Sequence, residues 1–127
     1  MRAVIVALVG SALCGAAMAA QSASDLAKGD AAKGKATYAE RKCATCHRTD
    51  KADDEGGKMA TILGDTVAKL SPAELKSWLT DTADMEAKLP KPPAVKMSDF
   101  IKNLKPALTE ADVANLVAFL KTLPAKS

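Results

Sequence analysis

The chain has 127 residues and carries 18 lysines and arginines against 15 aspartates and glutamates, a balance that gives no reason to expect nucleic-acid binding. Its length predicts one small domain, in which only 3% of the residues are aromatic. It has a single histidine, His47, which excludes any site that needs two, such as HExxH metalloprotease centres and Cys2His2 zinc fingers.

Residues 1–19 have the pattern of a secretory signal peptide. Arg2 is their only charged residue, the rest are almost all apolar or small, and an Ala-Met-Ala sequence at the end marks a cleavage site after Ala19. The strongly apolar part, residues 4–13, is too short to cross a bilayer, which argues against a membrane anchor. We therefore expect a periplasmic protein with one domain over 20–127 and no transmembrane segment in the mature chain.

A first helix is predicted from Asp30 to about Lys42, with Asp30 as its N-cap. Gly34 and Tyr38 are four residues apart and therefore share a face of this helix. A glycine inside a helix costs roughly 1 kcal/mol relative to alanine. Either another helix approaches closely at Gly34, or the glycine is tolerated in an exposed segment.

The main chemical signal is the sequence C-A-T-C-H over residues 43–47. In an exported protein the motif C-x-x-C-H predicts covalent haem c, because Cys43 and Cys46 can each bond a haem vinyl group while His47 reaches the iron. One alternative is a disulfide or a thioredoxin-like redox pair, whose fold needs strands that the sequence hardly predicts. Another is a closed zinc site, for which the mature chain has too few Cys and His ligands.

The second axial ligand of the iron cannot be histidine, so it is a methionine, a lysine or absent. The mature chain offers Met59, Met85 and Met97. Met97 follows a proline-rich stretch and can reach the haem face opposite His47. Met59 can line the pocket edge instead, and Met85 is expected to pack.

A middle helix is predicted to begin with Ser71 as N-cap, Pro72 in its first turn and Glu74 as capping-box partner, and to end near Thr82. Its apolar stripe contains Trp78, together with Leu75 and Leu79.

Residues 84–108 contain four prolines and are predicted to follow an extended path. A loop this long in a small domain usually has a function or wraps around another group. A short helix from Asp99 to Leu104, capped by Ser98, is expected within it. The last helix is predicted to begin at Thr109, with Asp112 as capping-box partner, and has the clearest helical periodicity in the sequence.

The order of these features resembles class I cytochrome c: a Gly-x-x-x-aromatic helix, C-x-x-C-H, a capped helix with a tryptophan, a proline-rich stretch before a methionine, and a C-terminal amphipathic helix. The resemblance covers essentially the whole mature chain. It implies an all-α, cytochrome c-like fold of three to four helices wrapped around one covalently bound haem, with the first and last helices crossing.

The resemblance also implies roles for single residues. Cys43 and Cys46 match the thioether positions, His47 the proximal iron ligand and Met97 the distal one. Trp78 resembles a tryptophan that hydrogen-bonds a haem propionate, and an ordinary core aromatic is the alternative.

The sequence departs from the family's pattern in two places. No proline occurs between His47 and Pro72, so another carbonyl, near residues 59–63, is expected to orient the imidazole. Met97 is followed by Ser-Asp, where the family often has proline.

With both axial positions filled, the expected function is a one-electron carrier that is not itself an enzyme. An alternative is a haem-bearing electron-relay subunit of a periplasmic oxidoreductase complex, and a third is a gas-binding haem with a labile sixth ligand. The expected partner is a redox protein, with an acidic docking surface if the lysines near Met97 steer it. The lysines near Met97 in the sequence are Lys88, Lys91, Lys96, Lys102 and Lys105.

Overall fold

The structure is a computed structural model and describes residues 28–49 and 61–125. These ranges hold six α-helices, one short 3-10 helix and a pair of two-residue strands. In sequence order they are α1 (Ala31–Glu40), the 3-10 helix (Cys43–Thr45), β1 (His47–Arg48), β2 (Thr61–Ile62), α2 (Gly64–Ala68), α3 (Pro72–Thr80), α4 (Thr82–Ala87), α5 (Met97–Asn103) and α6 (Glu110–Leu120).

The architecture confirms the predicted all-α fold class. It has more helices than the expected three to four, because the short α2 and α4 have no clear periodicity in the sequence. None of the helices in the described ranges has the length and apolarity needed to cross a bilayer. The predicted signal peptide lies outside the described residues, and its cleavage stays a prediction.

Helix α1 begins as predicted and ends slightly earlier. The Asp30 carboxylate accepts hydrogen bonds from the amides of Ala32, at 2.9 Å, and Lys33, at 3.1 Å. The helix ends at Glu40, because Lys42 adopts a left-handed conformation with φ of 56°. This turn leads directly into the 3-10 helix with which the C-x-x-C-H motif begins.

Helices α1 and α6 cross in close contact, which settles the role of Gly34. A Cβ atom at Gly34 would overlap the backbone carbonyl of Asn115 and the Cβ of Phe119. At the same crossing, the Asn115 side chain accepts a hydrogen bond from the Asp30 amide at 2.8 Å. The Tyr38 and Phe119 rings meet edge to face, with their centroids 5.5 Å apart. Close helix approach is therefore the reason for this glycine.

Arg41 connects the end of α1 to the start of α6. Its Nη1 donates to the carbonyl of Pro106 at 2.7 Å, and its Nη2 lies 3.8 Å from the Asp112 carboxylate. These contacts hold the backbone just before Cys43 against the last helix.

Both predicted capping boxes are confirmed. Ser71 and Glu74 exchange hydrogen bonds at the start of α3, at 2.8 Å for the Ser71 amide and 3.2 Å for the Glu74 amide. Thr109 and Asp112 do the same at the start of α6, at 2.9 and 3.1 Å. Helix α3 ends at Thr80, two residues before the predicted position.

The hydrophobic core lies mainly between α1, α3 and α6, with Val67 contributed by α2. Its buried members are Tyr38, Val67, Leu75, Leu79, Val113, Leu116, Val117, Phe119 and Leu120. Half-buried side chains from the C-x-x-C-H motif and from α5 pack against this cluster, among them Cys43, Ala44 and Met97. The core thus joins the two segments that the sequence singled out for haem chemistry.

The predicted extended segment over 84–108 is partly wrong. Its first residues belong to α4, and the expected short helix is α5, which begins at Met97 instead of Asp99. Ser98 lies inside that helix and does not cap it. The prediction failed because the hydrogen-bond acceptor at this helix start comes from Glu86, a residue distant in sequence. Prolines 90, 92 and 93 fall in the irregular stretch between the two helices.

Candidate haem-binding site

The two cysteines of the motif lie just after the end of α1 in different environments. Cys43 is half-buried and packs against the hydrophobic core, whereas Cys46 is exposed. Neither takes part in a disulfide in the structure. Both thiols are therefore available for covalent attachment to a porphyrin.

The pKa of Cys43 argues against the thioredoxin-like alternative. Burial raises the pKa of this thiol to about 11, whereas redox-active cysteines have lowered values. The strands required by that fold are also missing from the described ranges, which contain only the two-residue pair. Within residues 28–49 and 61–125, no three His, Cys, Asp or Glu side chains converge as metal ligands.

The backbone of His47 is fixed from two sides. The Tyr38 hydroxyl of α1 donates to the His47 carbonyl at 2.7 Å. Strand β1 pairs in parallel with β2, so that His47 lies opposite Thr61, and the Leu63 amide donates to the Arg48 carbonyl at 2.8 Å. The Tyr38 contact was not foreseen, although the choice of tyrosine over phenylalanine was a signal for a hydroxyl partner.

The His47 ring suits an iron ligand. It is half-buried, and burial lowers its pKa, which favours the neutral imidazole, the form that binds metals. Its Nδ1 is buried and has no hydrogen-bond partner among the described residues. The strand β2 brings part of the expected 59–63 segment beside His47. The carbonyl that orients the ring stays a prediction, because residues 59 and 60 lie outside the described ranges.

Met97 is the first residue of α5 and is half-buried against the core. The next residue, Ser98, donates hydrogen bonds to Glu86 of α4 through its amide, at 3.1 Å, and its hydroxyl, at 2.6 Å. The Ser98 hydroxyl above all holds the pKa of the Glu86 carboxyl below its usual range, against the opposing effect of desolvation. Met97 is therefore adjacent in sequence to Ser98, whose two hydrogen bonds to the Glu86 carboxylate connect α5 to α4.

The other candidate residues have less defined roles. Met85 is half-buried in α4, with its sulfur 3.8 Å from the Lys88 ammonium, and Met59 lies outside the described residues. Trp78 is half-buried in α3, and its carbonyl accepts a hydrogen bond from Thr82 at 2.8 Å. The role of the Trp78 indole stays a prediction.

The donor set as a whole fits a haem c. It offers two free thiols three positions apart, an imidazole with a buried Nδ1, and a thioether on the same hydrophobic cluster as Cys43. These donors match the thioether attachment and His/Met ligation of c-type haem iron.

The chain is thus an all-α protein in which a C-x-x-C-H motif directly follows a helix packed on the last helix of the described residues. The sequence model of the Cytochrome c family matches residues 31–124, and the chain belongs to this family. No curated protein and no solved structure gives a significant match. Membership confirms the resemblance to c-type cytochromes and is compatible with class I. It implies a covalently bound haem with iron and a function in electron transfer.

Proposed function

We propose that the protein is a periplasmic one-electron carrier with a single haem c, attached through Cys43 and Cys46 and ligated by His47 and Met97. Haem, when bound, supplies one-electron cycling of its iron between Fe(III) and Fe(II). Export after removal of residues 1–19 fits this function, because c-type haem attachment in bacteria takes place in exported proteins.

One observation supports this proposal most strongly. Met97 and Cys43 pack against one hydrophobic cluster, although they are far apart in sequence. Among the methionines of the described residues, Met97 packs against this core, whereas Met85 does not belong to it. Ligation by His47 and Met97 would fill both axial positions, leaving none for a substrate.

Carbon monoxide distinguishes a carrier from a gas-binding haem protein. For the reduced holoprotein we expect no rapid CO binding at neutral pH, because Met97 would have to leave the iron first. Redox titration should show one electron per protein molecule. Fast CO binding by the wild-type protein would contradict the carrier proposal and favour a labile sixth ligand.

The lysines around Met97 support docking to an acidic redox partner. Five lysines between residues 88 and 105 are all exposed, and Asp99 is the only acidic residue in this interval. A surface with such an excess of positive charge accelerates association with a negatively charged partner by about 10-fold or more, and the acceleration decreases as salt rises.

Charge reversal tests this docking surface. The double variant Lys91→Glu/Lys105→Glu should slow electron transfer with an acidic redox protein at low salt, and the difference should shrink as salt rises. The control is Lys35→Glu on the exposed side of α1. An equal effect of Lys35→Glu would rule out docking at the surface near Met97.

Exposed apolar side chains in the same region favour a second candidate, the electron-relay subunit of an oxidoreductase complex. Val95 is 77% exposed and Phe100 37% exposed, and exposed apolar surface is typical of permanent interfaces. Gel filtration of a native periplasmic extract distinguishes the two functions. A free carrier elutes at the size of the single protein, whereas a subunit elutes in a larger complex whose substrate reduces its haem.

A further inference from the structure

Glu86 is a buried carboxylate that the proposed electron-transfer chemistry does not use. It lies near the end of α4 and is 8% exposed. Glutamate is among the residues least often buried unless it is paired. Its burial therefore calls for a partner, which the structure provides in the next helix.

That partner is the start of α5. The Ser98 amide donates to Glu86 Oε1 at 3.1 Å, and the Ser98 hydroxyl donates to Glu86 Oε2 at 2.6 Å. The first amides of a helix lack acceptors within the helix. Lys96, which occupies the N-cap position of α5, makes no capping hydrogen bond with its side chain. Glu86 thus takes the place of the missing cap.

Burial anchors helix α5 only weakly. No residue of α5 is fully buried, and α4 is the described element against which it packs most extensively. The backbone between α4 and α5 is an irregular proline-containing stretch. The two hydrogen bonds between Ser98 and Glu86 connect residues twelve positions apart. They therefore hold together the two ends of the loop between α4 and α5.

We propose that Glu86 is a positioning residue that holds Met97 in place as the distal ligand of the haem iron. The inference rests on the proposed His47/Met97 ligation. Met97 is the residue directly before Ser98, so fixing the Ser98 backbone and hydroxyl fixes the helix start from which the thioether projects. Hydrogen bonds to a charged acceptor are stronger than neutral ones, which makes this carboxylate an effective anchor.

Imidazole binding to the oxidised holoprotein tests the proposal. Imidazole has to displace Met97 from the iron, so its apparent affinity rises when Met97 is held less firmly. We expect Glu86→Ala to raise that affinity by about tenfold or more, equivalent to about 1.4 kcal/mol. Glu86→Gln keeps the shape and one acceptor oxygen, and Ser98→Ala keeps the amide hydrogen bond, so both should fall between wild type and Glu86→Ala.

Two control variants separate positioning from general weakening. Asp84→Ala removes an exposed carboxylate from the same helix and should leave the affinity within about twofold of wild type. Thr109→Ala removes the N-cap of α6 and should lower the unfolding midpoint without raising imidazole affinity. Glu86→Ala should differ from both controls by its raised imidazole affinity.

The outcomes distinguish this inference from the ligation on which it rests. If the wild-type protein shows a Met97-dependent near-red absorption band and Glu86→Ala binds imidazole as Asp84→Ala does, the positioning role is overturned and the ligation stands. If Met97→Ala leaves the wild-type band and imidazole affinity unchanged, Met97 is not the ligand and both proposals fall.

Discussion

Tyr38 contributes to the molecule with both its ring and its hydroxyl. Its ring packs against Phe119 where α1 and α6 cross, and its hydroxyl donates to the carbonyl of His47. A single residue of the first helix therefore connects the core to the backbone of the proposed iron ligand. The sequence predicted the position of this aromatic on the helix face, but the hydroxyl contact depends on a turn that periodicity does not describe.

The variant Tyr38→Phe separates the two contributions. It keeps the ring and leaves the His47 carbonyl without this donor, so we expect a loss of about 1 kcal/mol in the free energy of unfolding of the holoprotein. Urea unfolding measures it. Thr80→Val, which removes an exposed helical hydroxyl that donates to the Lys76 carbonyl or the Asp81 carboxylate, should cost less than about 0.5 kcal/mol. Equal losses in the two variants would show that the Tyr38 hydroxyl has no special role.

At the level of elements, the contact between α1 and α6 and the helix propensity of glycine predict opposite effects of a Gly34→Ala substitution on stability. Replacing an exposed helical glycine with alanine stabilises a helix by roughly 0.5–1 kcal/mol. Gly34→Ala should instead destabilise the protein by about 1–3 kcal/mol, because the added methyl group overlaps the Asn115 carbonyl.

Thermal or urea unfolding of Gly34→Ala checks this sign. Lys35→Ala, at the exposed neighbouring position, is the control and should change the stability by less than about 0.5 kcal/mol. A more stable Gly34→Ala protein would contradict the close helix contact.

The elements that the sequence predicted well are those whose signals are local. The partners in the capping pairs Ser71–Glu74 and Thr109–Asp112 are only three positions apart, so their chemistry is visible in the sequence. The start of α5 was misplaced because its cap comes from Glu86 on another helix. The short α2 and the β1–β2 pair were missed since they depend on tertiary contacts, such as the Gly64 backbone packed against the Pro124 carbonyl.

In the candidate site, too, the features with local sequence signals were predicted and those that depend on tertiary contacts were not. The motif residues Cys43, Cys46 and His47 lie within five consecutive positions, so the sequence alone indicated their chemistry. Family membership supports a covalently bound haem, and the roles of these three residues stay predictions. The preference for Met97 came from its place after the prolines and from the resemblance. Its contact with the core and its neighbour's bonds to Glu86 could not be predicted, because they join segments that only the fold brings together.

At the scale of the whole molecule, the low aromatic content points to the cofactor as part of the core. Cys43, Ala44 and Met97 lie at the margin of the buried cluster, where a porphyrin face would extend it. Burial of a few hundred Å² of haem would contribute several kcal/mol at roughly 25 cal/mol per Å². This is comparable to the whole stability of a small domain, about 5–15 kcal/mol.

The protein without haem should therefore be largely unfolded. The double variant Cys43→Ala/Cys46→Ala removes both attachment points, and its far-ultraviolet circular dichroism should show most of the helix signal lost. Met97→Ala retains the attachment cysteines and serves as the control that keeps its helices. Full native helicity in the double cysteine variant would contradict a core that depends on haem.

The central claim is that His47 and Met97 ligate one haem iron, and the absorption spectrum of the oxidised protein tests it most directly. Methionine ligation of ferric haem gives a weak charge-transfer band in the near-red. We predict that the wild-type protein has this band, that Met97→Ala abolishes it, and that Met59→Ala and Met85→Ala retain it. A band that survives in Met97→Ala, or that is lost in one of the other two variants, would contradict the assignment.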